Sequence, residues 1–419
     1  MDQEPSRLGR RLGLTQTVGI ALGAMIGAGV YVSMGEAAGT TGASLLLAVP
    51  LAAFVATLNG LSSAELGAND PRAGGAYQFG RSLVHPLVGF MAGWLFLAAA
   101  LAAGATYALT FAAYLQPLLP GIPPRLVGLA LVLFAIALNA IGVRPSARIN
   151  LVLVGINIAV LVTFVLLALP AYDPQRLQPF LGGGIIGLLQ ATALLFFAYT
   201  GYARPVTIVE EIRNPRQTLP RAVVTALGLT TVLYLAVAWA ALGVLGPAAM
   251  GDADAPLRTA MVVAGRDLGA TLLSLGALIA TTSVLLTEVW GLSRLAFAMA
   301  RNGDLPGWLG RLSEGERIPR NAILTAGGIL VLLMALLDLR PALEASSLGL
   351  LIYYGIMNLS ALRLARGQRL YPPIVPVLGV TANLLVALSL PWGTLLAVAG
   401  VALVGLAYYY SLAHRQQAG

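Results

Sequence analysis

Residues 23–35 read GAMIGAGVYVSMG and lie inside an apolar segment that is long enough to cross a lipid bilayer. Glycine has no side chain and accepts non-helical backbone angles without strain, so it weakens a membrane helix. Gly23, Gly27 and Gly29 therefore have two structural explanations, close helix packing and an interrupted helix. Small residues four apart allow a second helix to pack closely, and glycine in mid-membrane also marks an interrupted helix. The two interpretations are compatible.

The composition predicts that lipid is the main solvent of this chain. Of its 419 residues, 58% are hydrophobic and 10% are charged, and the mean hydropathy is +0.84. A soluble protein of this length cannot bury so much apolar surface. We therefore predict an all-α polytopic membrane protein with about twelve transmembrane helices. The apolar segments lie near residues 14–35, 41–66, 82–115, 124–141, 149–170, 184–208, 220–245, 268–297, 321–338, 345–364, 373–390 and 393–411.

The distribution of arginine predicts the orientation. All 25 basic residues are Arg, and the net charge is +8. With both termini in the cytoplasm, five Arg fall outside and two lie in or beside spans, which leaves 18 inside. This positive-inside bias predicts a multi-pass inner-membrane protein, and it explains the charge without a nucleic acid partner. The inner set includes Arg7, Arg10, Arg11, Arg144 and Arg148, and the outer set is Arg125, Arg176, Arg258, Arg266 and Arg340.

The residues that carry most enzymatic and metal chemistry are scarce. The chain has no Cys, and its two His, His85 and His414, are far apart and near the ends of spans. Thiolate or His-based metal binding is therefore not predicted, and neither is a cofactor. The spans contain no His pair and no paired Asp, so we predict that the protein is not an enzyme.

A second interruption occurs in residues 196–215, FFAYTGYARPVTIVEEIRNP, where Gly201 and Pro205 fall inside the sixth span. Pro cannot donate to the helix ladder, and Gly accepts non-helical angles. The first and sixth spans would be equivalent in two repeats of five spans, and matched interruptions predict a substrate site near the bilayer midplane. Freed N–H groups there bind a carboxylate, and freed carbonyls bind an ammonium group. A channel or a purely structural membrane protein would not need matched interruptions in two spans.

Several motifs together resemble the amino acid–polyamine–organocation (APC) superfamily of transporters, and in particular bacterial members of its cationic amino acid transporter branch. They are GAMIGAGVYVSMGEAAG, AELGANDPRAGGAYQF, GFMAGW, FFAYTGY, EEIRNPRQTLPRA, LSRLAFAMARNGDLP and YYGIMNLSALRL. The resemblance implies a five-plus-five inverted repeat with broken helices 1 and 6. It places a cytoplasmic N-terminus at 1–12, the first repeat at 13–170 and the second at 171–366. Two further helices and a short cytoplasmic C-terminus follow at 367–419.

The resemblance also implies a substrate site made mainly of backbone. The carboxylate would bind the N–H groups of Gly27, Ala28 and Gly29. Phe197 matches an aromatic residue that closes the site from outside, and packing in the core is the less favoured alternative. The ammonium group would bind carbonyls at Met25, Ile26, Phe197, Ala198 and Thr200.

The coupling position departs from the family pattern. Family members commonly carry a Lys in span 5, where this chain has Asn157 and no Lys anywhere. Asn cannot carry a proton or a fixed charge. Thr281, Thr282 and Ser283 in span 8 lie near that position and offer oxygens for a sodium ion, although such hydroxyls more often bond to the preceding helical turn. Proton and sodium both remain candidates for the coupling ion.

Two charges in the predicted spans are a further departure from the family pattern. Arg204 follows the interruption in span 6, and Glu288 lies in span 8. Charges in a membrane are costly and are usually paired or functional. One hypothesis is that the two residues pair across the transport path as a gate or proton relay. The other is that Arg204 extends to the cytoplasmic surface.

The predicted function is secondary active transport of L-amino acids across the inner membrane by alternating access. Span 3 has no acidic residue, and near the site only Glu288 offers a negative charge. This favours neutral substrates over cationic ones. A cationic amino acid, another small organic amine or acid, and exchange remain alternatives, and nothing in the sequence bears on the oligomeric state.

Overall fold

The computed structural model describes residues 12–70, 75–142, 147–313 and 318–418, most of them helical. These ranges leave out residues 1–11 of the predicted N-terminal segment, which include Arg7, Arg10 and Arg11. They also leave out Arg144. The α-helices are α1 (Leu14–Met25), α2 (Ala28–Thr41), α3 (Leu45–Asn69), α4 (Gly75–Phe79), α5 (Pro86–Leu115), α6 (Pro124–Ala140), α7 (Ala147–Ala168), α8 (Gly184–Tyr199), α9 (Pro215–Leu245), α10 (Pro247–Gly251), α11 (Pro256–Val263), α12 (Asp267–Arg301), α13 (Arg320–Leu336), α14 (Leu339–Leu362), α15 (Ile374–Leu388) and α16 (Trp392–Ala418). Shorter 3-10 or π turns cover Gly42–Ser44, Gly80–Val84, Leu169–Ala171, Pro174–Leu177, Gly307–Gly310 and Arg366–Gln368, and a longer 3-10 helix covers Thr200–Glu211.

The helices agree with the twelve predicted apolar segments. Eight stretches are long and apolar enough to cross a membrane, and α1, α6, α13 and α15 are shorter apolar helices. Segments 14–35 and 184–208 each consist of two helical pieces, and every other segment coincides with one main helix. The prediction of an all-α polytopic membrane protein is confirmed.

Proline defines where several of these helices begin. Pro86, Pro124, Pro215 and Pro256 occupy the first turn of α5, α6, α9 and α11. Proline suits this position because its backbone angle is already helical and its missing N–H group has no acceptor there. Glycine instead follows the end of a helix: Gly246, between α9 and α10, has a φ of 74°. The connections between these helices are therefore encoded locally.

The first span is interrupted as predicted. α1 ends at Met25, and Ile26 adopts φ −81° and ψ 69°, outside the helical region. The N–H group of Gly27 donates to the Met25 carbonyl over 2.8 Å, which closes a tight three-residue turn. α2 then starts at Ala28. Two residues therefore separate the helical halves, and both are buried.

The sixth span changes helix type instead of unwinding fully. α8 ends at Tyr199 and the chain continues as the 3-10 helix Thr200–Glu211, with a kink at Ile208 (φ −123°, ψ 24°). Pro205 lies inside this stretch. Because Pro has no N–H group to donate, it removes one hydrogen bond of an α-helix and weakens the helix at this point.

The two interrupted spans pack directly on each other. α2 lies against α8, and α1 lies against the 3-10 helix and α9. A Cβ on Gly29 would come within 2.6 Å of Ala198 Cα, and a Cβ on Gly201 would come within 2.3 Å of the Ala24 carbonyl carbon. These glycines thus permit backbone contact between the two spans, so close packing and interruption occur together.

Backbone hydrogen bonds also join the two spans at the face where α1 begins, which we call the N-terminal face. Leu12 donates its N–H group to Glu211 over 3.0 Å, and Arg213 donates to the Leu12 carbonyl over 2.9 Å. Leu12 and Ile212 thereby form an isolated parallel bridge. The residue before the first span is thus fixed to the residues after the sixth.

A polar cluster fixes the loop after α12 against α4. Tyr77 donates to Asp304 Oδ2 over 2.6 Å, Asn302 donates to the Tyr77 hydroxyl over 2.8 Å, and Arg81 forms an ion pair with Asp304. Burial, with the hydrogen bond to Asp304, raises the pKa of Tyr77 to about 12. The phenol therefore stays protonated and keeps donating at neutral pH.

The last two helices pack on the outside of the bundle. α15 lies against α3 and α14, and a buried amide cluster joins the three helices. The Asn59 and Asn383 side chains exchange two hydrogen bonds of 2.9 Å, and Asn358 donates to Asn59 over 2.6 Å. α16 docks on α5, where Trp94 donates to the Val401 carbonyl.

Candidate functional site

The start of α2 presents backbone donors to the interior of the protein. The N–H groups of Ala28, Gly29 and Val30 have no carbonyl four residues earlier within their own helix. Within the described chain, no side chain caps this end. A helix start with free N–H groups and the positive end of the helix dipole favours an anion such as a carboxylate. Of the three predicted carboxylate donors, the N–H groups of Ala28 and Gly29 lie at this helix start, whereas the N–H group of Gly27 already donates to the Met25 carbonyl.

The predicted ammonium-binding carbonyls also lie at this junction, and side chains orient them. The Tyr234 hydroxyl donates to the Met25 carbonyl over 2.7 Å and lies 3.3 Å from the Ala198 carbonyl oxygen. Thr200 Oγ1 donates to the Phe197 carbonyl over 2.9 Å. The Met25 carbonyl also accepts from the Gly27 N–H group, and the Phe197 carbonyl also accepts from the Thr200 N–H group, so each of these two oxygens already has two donors. The sequence did not predict the role of Tyr234.

The carbonyl of Thr200 has a similar partner. The Tyr354 hydroxyl on α14 lies 3.3 Å from it. Tyr234 and Tyr354 are both buried within predicted spans. A buried tyrosine there is costly unless its hydroxyl forms a hydrogen bond. A tyrosine inside a predicted span is therefore the sequence signal by which the two residues could have been found.

Asn157 on α7 connects to the interruption in the first span. Its Nδ2 donates to the Ile26 carbonyl over 2.9 Å, and its Oδ1 accepts from the Tyr31 hydroxyl over 2.5 Å. The Asn157 side chain is 3% exposed, and Tyr31 is 1% exposed. A neutral amide thus fixes the non-helical carbonyl of Ile26 and reaches the first turn of α2 at the same time.

Phe197 lies beside the α2 start and is 3% exposed. Its ring centroid is 5.4 Å from that of Tyr107 on α5, at an interplanar angle of 38°. The two rings form an aromatic pair that joins the third and sixth spans next to the candidate site. This arrangement agrees with a gate and with core packing, so the gating role stays a prediction.

Two of the three hydroxyls proposed for sodium bond to their own helix. Thr281 Oγ1 donates to the Ala277 carbonyl over 2.7 Å, and Thr282 Oγ1 donates to the Leu278 carbonyl over 2.7 Å. Such bonds to the preceding turn are common for Thr in membrane helices. Val284 follows Ser283, and a Cβ on Gly27 would come within 2.8 Å of the Val284 side chain. This stretch of α12 is therefore adjacent to the interruption.

Arg204 and Glu288 are close enough for their charges to act on each other, and both are half-buried. They do not form a direct ion pair among the described residues. Arg204 Cζ lies 6.0 Å from the centroid of the Trp290 ring, and Arg294 Cζ lies 3.7 Å from it. The structure thus brings the two predicted charges to one region without a direct ion pair between them.

Comparison with known proteins identifies the family. A profile described as "amino acid permease" matches residues 12–413. The chain belongs to the amino acid permease family. An uncharacterized transporter of Mycobacterium tuberculosis is 39% identical to this permease, over 97% of this chain and 92% of the relative. The branched-chain amino acid permease BcaP of Bacillus subtilis is 27% identical, over 96% and 93%. Cationic amino acid transporter 4 of Mus musculus is 29% identical, over 86% and 60%.

These matches establish this permease as a multi-pass membrane protein of the APC superfamily, which confirms the resemblance drawn from the motifs. Relatives along nearly the whole chain are named transporters or permeases, not enzymes. Family membership supports amino acid transport as the activity.

Proposed function

We propose that this permease is a secondary active transporter that moves neutral L-amino acids across the inner membrane by alternating access. The observation that carries the proposal is the start of α2, whose free N–H groups lie beside carbonyls of both interrupted spans. The proposal includes two inverted repeats, 13–170 and 171–366, and cytoplasmic termini. Gly27, Ala28 and Gly29 would bind the carboxylate of the substrate. The carbonyls of Met25, Ile26, Phe197, Ala198 and Thr200 would bind its ammonium group.

Neutral substrates are favoured by the charges around the site. α5 contributes no acidic residue. The charge of Glu288, the carboxylate that the sequence places near the site, interacts with the positive charge of Arg204. A relative similar along most of both chains, BcaP, is named a branched-chain amino acid permease. Another relative is named a cationic amino acid transporter, so arginine and lysine belong in any substrate panel.

L-amino acid binding can be measured by thermal unfolding of the purified protein in detergent. We expect L-alanine, L-leucine or L-serine to raise the unfolding temperature, because a ligand at 100 times its Kd stabilises the native state by about 2.7 kcal/mol. Gly27→Leu should abolish the effect, since even a Cβ at this position would come within 2.8 Å of Val284. Gly228→Ala on α9, where a Cβ meets open space, is the matched control. Stabilisation by arginine and lysine alone would contradict the neutral assignment.

The coupling ion can be tested in the same assay and in proteoliposomes. If Thr281, Thr282 and Ser283 hold sodium, sodium should increase the stabilisation by substrate, and Thr281→Val should remove this increase. Thr271→Val is the control, because Thr271 lies on the same helix, is exposed and bonds to Asp267 in the same way. Equal uptake with sodium and with choline would contradict sodium coupling and leave protons or exchange.

A further inference from the structure

The loop between α14 and α15 forms a basic surface at the N-terminal face. Arg363 follows the last residue of α14, and Arg366 begins the 3-10 turn of this loop. Arg216 on α9 reaches the same loop, with its Nη2 3.5 Å from the Gln368 carbonyl oxygen. α9 starts directly after the bridge at the N-terminal face, so the loop lies on this face. We call Arg216, Arg363 and Arg366 the basic patch.

A different arginine caps the end of α14. Arg369 donates to the carbonyls of Leu362 and Leu364 over 3.0 Å. A cation at this end of a helix satisfies free carbonyls and interacts favourably with the helix dipole. Arg369 therefore fills the capping role, while the side chains of Arg363 and Arg366 are exposed.

α3 fixes the other half of the loop. The Asn69 side chain donates to the Gln368 carbonyl over 2.8 Å. Glu65, which is 1% exposed, accepts the N–H groups of Leu370 and Tyr371 on one carboxylate oxygen. A loop that served only the positive-inside bias would need charge but no fixed shape. This loop instead presents its arginines in a defined arrangement.

The basic patch has no carboxylate partner in the part of the chain that the structure describes. Its three side chains are exposed, and none of them forms an ion pair with a described Asp or Glu. Residues 361–380 contain three Arg and no acidic residue. Guanidinium groups bind phosphate through paired, charge-assisted hydrogen bonds. The patch therefore suits a phosphate group.

An exposed apolar stripe on α15 begins next to the basic patch. Its residues are between 42% and 57% exposed, and they are Ile374, Val377, Leu378, Leu384 and Leu385. Spacings of three, four and seven residues place them on one face of the helix. The helix packs on α3 and α14 through its other side. Acyl chains would cover this stripe in a bilayer, with their headgroups at the level of the loop before α15.

We propose that the basic patch binds the phosphate of an anionic phospholipid, whose acyl chains lie along the exposed stripe of α15. A free phosphate ion offers the same charge but leaves the stripe unused, so a lipid is the favoured occupant. The headgroup joins two helices, because Arg216 belongs to the start of α9 and Arg363 follows the end of α14. This binding surface goes beyond amino acid transport and does not depend on it.

Thermal unfolding of the full-length protein in detergent tests the proposal. Phosphatidylglycerol and phosphatidylcholine with the same acyl chains are added to the delipidated protein in separate titrations. We expect phosphatidylglycerol to raise the unfolding temperature at a lower concentration than phosphatidylcholine. High salt should weaken this difference, because it screens the attraction between exposed charges. Equal responses to the two lipids would overturn the proposal.

Variants of the patch locate the binding surface. An arginine near an anionic membrane surface contributes about fivefold in affinity, so Arg363→Gln combined with Arg366→Gln should need roughly 25-fold more phosphatidylglycerol. Arg363→Lys combined with Arg366→Lys keeps the charges and should keep most of the response. Arg216→Gln changes a different helix and should shift the response about fivefold. It decides the question if the double Gln variant does not fold.

Arg301→Gln is the matched control. Arg301 is exposed at the end of α12, and α14 ends on the same face because α13 and α14 cross the bundle and return. This variant should respond to phosphatidylglycerol like the unaltered protein. An equal loss in Arg301→Gln would reveal general attraction to a charged face and overturn the assignment to the patch.

Two further outcomes would contradict the proposal. An unchanged response in the double Gln variant and in Arg216→Gln would place the lipid elsewhere. Stabilisation by inorganic phosphate at the concentration at which phosphatidylglycerol acts, lost in the double Gln variant, would identify a free anion as the occupant instead of a lipid.

Discussion

Gly201→Ala is expected to abolish uptake and to destabilise the protein strongly. The added Cβ would lie 2.3 Å from the Ala24 carbonyl carbon, 2.4 Å from its oxygen and 2.5 Å from the Met25 nitrogen. All three are backbone atoms, so no side-chain rotation relieves the overlap. Inserting one carbon into a packed interior costs about 1–3 kcal/mol, and backbone overlap belongs at the upper end or beyond.

The expected loss of function has a definite structural cause. Ala24 and Met25 form the last turn of α1, so moving them away from Gly201 also moves the Met25 carbonyl. Radiolabelled uptake and thermal unfolding measure the two effects. Gly228→Ala is the control and should stabilise α9 by up to about 1 kcal/mol, because that glycine lies inside a helix and faces open space. Normal uptake by Gly201→Ala would show that the two spans do not touch as described.

Asn157→Asp is expected to make transport depend on pH. The native amide donates to the Ile26 carbonyl and accepts from Tyr31 at the same time. A protonated Asp can do both, but an ionised carboxylate can only accept and would repel the carbonyl oxygen. Activity should therefore be present at acid pH and decline as the pH rises through the pKa of the new carboxyl group. Uptake measured between pH 4 and 8 tests this.

Two further variants separate the hydrogen bonds from the charge. Asn157→Leu leaves the Ile26 carbonyl and the Tyr31 hydroxyl buried without this partner, at about 1–3 kcal/mol for each group. Tyr31→Phe removes only one of these bonds, so it should destabilise less. Adding Tyr31→Phe to Asn157→Leu should cost little more, since the hydroxyl would already have lost its partner. A flat pH profile for Asn157→Asp would argue against the positioning role of this amide.

The interruptions were predictable because their causes are local. Gly27 and Pro205 weaken the helix at their own positions, and this effect follows from the residue type without knowledge of neighbouring helices. The sequence pattern did not predict the 3-10 form of the sixth span. That form depends on how residues 200–211 pack against α1 and α3, which only the assembled bundle determines.

The partners of the site were harder to predict than its position. Asn157 was singled out as a departure from a family pattern, but its bond to Tyr31 joins residues 126 positions apart. The bond from Tyr234 to Met25 joins residues 209 apart. Such contacts follow from the order in which helices pack, which apolar spans do not encode through periodicity because they are apolar on every side.

The bridge between Leu12 and Ile212 has a mechanical consequence. It makes the beginning of the first span and the end of the sixth a single body at the N-terminal face, held by two backbone hydrogen bonds. α1 can tilt about the Ile26–Gly27 joint, but it cannot swing alone unless both bonds break, at about 1 kcal/mol each. Any opening at this face that keeps the bridge must displace both spans together, so substrate access there would be governed by a shared hinge.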